Sequence, residues 1–207
     1  MASSKKGKKF RNHKKWIVFF DRALIVAGVF SIGLFRPDYV VIASYFLAIP
    51  YLIFTKRTNL LNHLMVASGL AALWMLIANG EYRYNMPFLN FHGLSLYSLF
   101  AWAIGLFAVY ILYFHFEHIF RWHGYSSQVL LLTAFYWPLL IAVETLAYHI
   151  FYVVNMQTAG YPGLPLCDCI HAPLAMQIAY LAMGPIFFTL CFLFGLERST
   201  VGKKARR

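Results

Sequence analysis

Acidic residues are scarce: the 207-residue chain holds seven Asp and Glu in all, and charged residues of both signs make up only 12% of it. A soluble domain carries about 25% charged residues, so the composition rules out an ordinary soluble protein. Other absences narrow the chemistry. There is no nucleotide-binding glycine loop, no D-x-x-x-D acidic pair and no serine-nucleophile signature, which argues against ATP-driven transport and prenyl transfer. The HxxxH and HxxHH boxes of membrane di-iron enzymes are also missing. No small-x-small cleavage site closes the first apolar segment, so the basic stretch and the apolar run after it read as an uncleaved helix rather than a signal peptide.

Apolar and aromatic side chains are what the chain has in excess. Hydrophobic residues reach 61%, with 20 Phe, 14 Tyr and 5 Trp, and the mean hydropathy is +0.62. Six runs approach or exceed the about 20 apolar residues that cross a bilayer. The expected fold is therefore an all-α polytopic membrane bundle of six transmembrane helices, over residues 16–35, 39–54, 60–78, 93–115 (continuing to 120), 129–153 and 174–196. Residues 1–15 and 197–207 form basic tails around a single domain, 16–196.

Orientation follows from the 18 Lys and Arg. With the N-terminus inside, the inner side collects 15 of them, from the two tails, Lys56, Arg57 and Arg121, while the outer side has only Arg36 and Arg83. Arg22, within the first span, snorkels inward. Both termini are thus expected in the cytoplasm, most naturally at a plasma or cytoplasmic membrane, with the tails touching anionic lipid headgroups. Nucleic acid is not the expected partner of these tails, because no basic domain accompanies them.

Glu144 is the polar residue that most needs a reason, since an ionisable group in hydrocarbon costs on the order of 2.5–3.5 kcal/mol. A neutral acid there can donate a proton, relay one, or bond to a neighbouring helix. Tyr148 lies one turn further along the same face and His149 stands near the outer interface. Pro138 frees a backbone carbonyl one turn toward the cytoplasm and is a place for a bend below the acid. Tyr136 and Trp137 precede it as candidate substrate-binding rings.

The loop 155–173 is apolar yet too rich in proline and glycine for a helix, and reads as a lid over the outer helix ends. His171 and Gln177 are expected to reach the same space. Cys167-Asp168-Cys169-Ile170-His171 offers three soft ligands, Cys167, Cys169 and His171, for zinc or copper, with His92, His149 or Asp168 as a fourth. A disulfide is the rival, although Cys167 and Cys169 are poorly spaced for one with each other; a packed loop with neither is the third alternative. On the inner side His115, Glu117, His118, Arg121 and His123 read as a solvated helix end, and Asp21 is expected to pair with His63, Arg22 or a tail lysine.

The leading functional expectation is handling of an apolar, lipid-like or isoprenoid molecule between spans. Glu144, Tyr148 and His149 would be the catalytic groups, Tyr136, Trp137, His171 and Gln177 the binding ones. A buried acid among aromatic faces suits protonation of an isoprenoid double bond, because the rings stabilise a cation. A proton-coupled transporter or channel, and a structural subunit covered by a membrane-protein partner, are the alternatives.

Overall fold

The structure is a computed structural model that describes residues 2–120 and 124–197, with only the backbone described for residues 2–14, 118 and 119. The side chains of the N-terminal tail before Lys15, those of His118, Arg121 and His123, and the tail beyond Glu197 lie outside the described residues. Six helices long and apolar enough to cross a membrane are present among those described. They are α1 (Ala2–Leu34), α2 (Pro37–Phe54), α3 (Leu60–Ile77), α4 (Leu96–Phe120), α5 (Tyr125–Thr145) and α6 (Leu174–Leu193).

Local chemistry sets the helix ends. The α1 helix begins well before residue 16, because lysine and arginine are good helix formers and hydropathy alone does not report where a helix starts. Pro37 opens α2 at a position whose N–H has no helical partner, and Asp38 follows in the first turn, where a carboxylate is favoured. Asp38 is fully buried and accepts from Arg36 (2.9 Å), from the Tyr39 N–H (3.1 Å) and from the Leu89 N–H (2.9 Å), which ties the α3–α4 connection to the start of α2.

The fourth span starts later than expected. Residues before it form a small antiparallel hairpin, β1 (Asn90–Phe91) with β2 (Leu94–Ser95), in the register Asn90↔Ser95 and Phe91↔Leu94. His92 and Gly93 turn the hairpin with φ of 48° and 85°, the left-handed pair that a two-residue hairpin turn needs. The fifth helix remains continuous through Pro138 and ends in a single π-helical turn, Leu146–Ile150.

The α4 helix is the centre of the bundle and touches all five other helices. Half of its span is buried, against 6% of that of α1. The main core runs between α3, α4, α5 and α6 through Leu64, Leu106, Tyr113, Leu132, Phe187 and Phe188. At Gly184 α6 comes so close to α5 that the Tyr136 ring occupies the space a Cβ would need. Pro185 cannot bond back to the Leu181 carbonyl, and the Trp137 Nε1–H from α5 donates to that oxygen instead (2.9 Å).

Candidate functional site

Polar side chains gather at the two ends of the bundle. At the end carrying α1's N-terminal half, Asp21 is buried and accepts from the Tyr51 hydroxyl (2.7 Å), both terminal nitrogens of Arg57 (2.7 and 2.8 Å) and His115 Nε2 (2.9 Å). The expected partners of Asp21 are therefore corrected. Arg22 turns away and stacks on Phe116, while His63 meets Glu197 (3.1 Å) and stacks on Tyr110, which also donates to Glu197 (2.8 Å). His115 is corrected too: it is buried in this cluster rather than part of a solvated helix end.

The opposite end holds Glu144. The side chain is half-buried and makes no hydrogen bond or ion pair among the described residues. Five tyrosines from four parts of the chain lie within electrostatic reach of its carboxyl group: Tyr82, Tyr84, Tyr97, Tyr136 and Tyr180. Tyr82 is the hub. Its phenol oxygen receives Trp74 Nε1–H (2.6 Å), Trp102 Nε1–H (3.1 Å) and the Tyr180 hydroxyl (2.8 Å), joining α3, α4 and α6. Burial is the largest influence on the Tyr82 hydroxyl and pushes it up to about 12, against the opposing pull of those three donors. Burial also lifts the Tyr84 hydroxyl well above its ordinary value.

The backbone around Tyr82 explains how a loop becomes one wall of this cluster. Residues 82 and 84 turn inward and 83 and 85 outward, as in a strand, and Tyr84 bridges to Asn155. Two asparagines stitch the connection. Asn155 accepts from the Arg83 N–H (3.0 Å) and donates to the Glu81 carbonyl (2.6 Å), while Asn85 donates to the Tyr152 carbonyl (2.8 Å) and accepts from the Val154 N–H (3.1 Å). A pocket of about 220 Å³ opens beside Tyr82 and Tyr84, against Phe88 and Ser95.

The turn at 161–171 covers the cluster. Buried Cys169 and Ile170 pack in one group with Tyr180, Tyr82, Trp74 and Trp102. Cys167 and Cys169 form a disulfide with a Cα separation of 5.2 Å. The expectation that their spacing disfavours such a bond is thus corrected: Asp168, between them, has φ of 45°, and this left-handed residue folds the two Cα atoms together. Both sulfurs are consumed by the bond, so Cys167, Cys169 and His171 do not assemble as a thiolate and imidazole set for zinc or copper. No group of three or more His, Cys, Asp or Glu able to hold a metal is found among the described residues.

The lid's carbonyls engage most of the expected polar groups. His149 Nε2 lies 2.9 Å from the Asp168 carbonyl and 3.2 Å from that of Cys167. His171 faces the carbonyls of Tyr161 (2.9 Å) and Asp168 (3.0 Å) and stacks on Tyr148 at 4.4 Å. Gln177 donates to the carbonyls of Pro162 (2.9 Å) and Ile170 (3.2 Å). Tyr136 is buried beside α6 and donates to the Tyr180 carbonyl, whereas Trp137 is exposed on the bundle's surface.

Sequence reasoning missed Tyr82, Tyr84, Trp74, Trp102 and Tyr180. Two signals were available: the strand-like alternation Tyr82-Arg83-Tyr84, and two tryptophans near the loop-proximal ends of adjacent spans. No family model matches the chain, and comparison with curated proteins and with solved structures finds no match.

Proposed function

We propose that the protein resides in a membrane with both termini cytoplasmic, and that the Glu144 end handles an apolar, lipid-like or isoprenoid molecule. The observation that carries this reading is a half-buried carboxyl group with no hydrogen-bond or ion-pair partner among the described residues, within electrostatic reach of a tyrosine cluster that the 161–171 turn packs against. An ionisable side chain in a membrane-length helix is costly and marks a functional position by default, so a half-buried one without a protein partner is a place for a ligand or a transferred proton. In this reading the neutral Glu144 acid passes its proton to a carbon of a substrate double bond. The aromatic faces of Tyr82, Tyr136 and Tyr180 stabilise the resulting cation, and loss of a proton from a neighbouring carbon restores the acid. Tyr148 holds the lid through His171, while His149, His171 and Gln177 anchor the lid's backbone and close the site to water. The basic tails hold anionic headgroups at the cytoplasmic face.

The test is mass spectrometry of lipids and metals retained by the gently solubilised protein, comparing wild type with Glu144→Gln. A defined isoprenoid or lipid retained by the wild type, and changed in amount or structure by the substitution, is the expected result. Recovery of the same bulk membrane lipid from both proteins would overturn the proposal.

A further inference from the structure

We propose that the Cys167–Cys169 disulfide is a reversible redox site that takes an external dithiol as its reductant, and that its reduction releases the turn covering the Glu144 cluster. The bond joins residues only two apart in sequence. Chain-entropy stabilisation by a disulfide grows with the length of the loop it closes, so this one contributes near the minimum as a staple. Its effect is local. Leu166, Asp168 and Ile170 all have positive φ, of 78°, 45° and 56°, a conformation that residues with a side chain beyond glycine rarely adopt unless something holds them there. The disulfide closes around Asp168, and Gly163 lies so near the Asp168 backbone that a Cβ would be crowded against it. The same few residues present the carbonyls of Cys167, Asp168 and Ile170, which are the acceptors for His149, His171 and Gln177. Opening the ring therefore removes the covalent constraint on the lid's three anchoring points and leaves the Leu164–Cys169 bridge and the Asp168 N–H to Leu164 carbonyl bond to hold the turn alone.

Access is asymmetric. Cys169 is fully buried, whereas Cys167 is half-buried and flanked by exposed Leu166 and Asp168. The attacking thiolate is accordingly directed to Cys167 Sγ. It forms a mixed disulfide there and expels Cys169 as a thiolate, which takes up a proton. The second thiol of the reductant then attacks its own sulfur in the mixed disulfide, leaving Cys167 as a thiol and the reductant as a disulfide. Two electrons and two protons pass to the protein. The redox step stands on the geometry of the turn alone, while its consequence for substrate access rests on the function proposed above.

The experiment treats the full chain in lipid nanodiscs with dithiothreitol, counts alkylated cysteines by mass, and follows amide exchange over residues 160–172. Buried Cys191 is the internal control for global unfolding. The expected result is alkylation of Cys167 and Cys169 with Cys191 unlabelled, at least tenfold faster exchange in the turn, and return to slow exchange on reoxidation. The double variant Cys167→Ser/Cys169→Ser should exchange at the fast rate without reductant. The proposal fails if the bond yields only when Cys191 also becomes labelled, or if both cysteines are alkylated while exchange in the turn is unchanged. Lipid retention measured on the same samples separates the two readings. An opened turn with no defined lipid bound in either redox state would defeat the proposed function and leave the redox site standing.

Discussion

Asp21→Ala is expected to be among the most destabilising single substitutions in the protein. The carboxylate is 4% exposed and closes four bonds of 2.7–2.9 Å, two of them from one arginine. Removing one partner of a buried ion pair typically costs about 3–5 kcal/mol, mostly from the charge left behind. The Arg57 side chain retains 16% exposure, so water relieves part of that penalty and the lower end, about 3 kcal/mol, is the expected cost. At roughly 2–4 °C per kcal/mol for a chain of this size, the midpoint of thermal unfolding should fall by about 6–12 °C. The assay is intrinsic tryptophan fluorescence in mild detergent, read for Asp21→Ala, Arg57→Met and the double variant. With both charges gone no ion is stranded, so the double variant should cost about 2 kcal/mol less than the sum of the single ones. Additivity within about 0.5 kcal/mol, or a midpoint shift below about 2 °C for Asp21→Ala, would refute the reasoning.

In the same assay Gly184→Ala should destabilise by about 1–3 kcal/mol, because the added methyl overlaps the Tyr136 ring and forces α5 and α6 apart; an unchanged midpoint would mean the two helices are not in contact there. The Tyr82 hydroxyl, raised to about 12 in the fold against about 10 unfolded, favours the folded state while protonated. That contribution is fully present below pH 10 and is lost as pH rises toward 12, up to about 2.7 kcal/mol for a two-unit shift. Alkaline unfolding of wild type should therefore be steeper over this range than that of Tyr82→Phe, and equal slopes would contradict it. Glu144→Met should raise stability by about 1 kcal/mol, the low end of the cost of an unpaired polar group because the side chain is only half-buried, and a loss of stability would show that the carboxyl is bonded.

The helices were readable because a bilayer-length apolar run carries its own signal, and the limits of each helix were not, because ends are decided by capping and turn chemistry. The basic residues before Lys15 continue α1, and His92-Gly93 makes a hairpin where a span had been expected to begin. Glu144 stood out as an isolated acid in an apolar run. Its surroundings did not, since Tyr82, Trp74, Trp102 and Tyr180 meet only through long-range packing of a loop on three helices. The disulfide was misjudged for a local reason: two cysteines separated by one residue can bond only where the backbone between them turns both side chains toward each other, and a left-handed Asp168 was not foreseeable from its neighbours. Asp21 was assigned to His63, Arg22 or a tail lysine, whereas the short α2–α3 connection delivers Arg57 from 36 positions away.

Two acids, one at each end of the bundle, separate structural from functional use of a carboxyl group. Asp21 has every partner a carboxylate can use: an arginine fork, a tyrosine and a histidine, drawn from α2, α4 and the connection after α2. Such saturation fixes how α1, α2 and α4 meet and leaves nothing over for a ligand. Glu144 sits amid five phenols and bonds to none of them, although Tyr82 and Tyr180 bond to each other and Tyr136 to a backbone carbonyl. A chain selected only for stability would fill that position with an apolar residue, because an unpaired polar group costs free energy that packing would recover. Local rules are broken where a protein needs chemistry. Opposite signs for Asp21→Ala and Glu144→Met in one unfolding assay would establish that division without knowledge of the substrate.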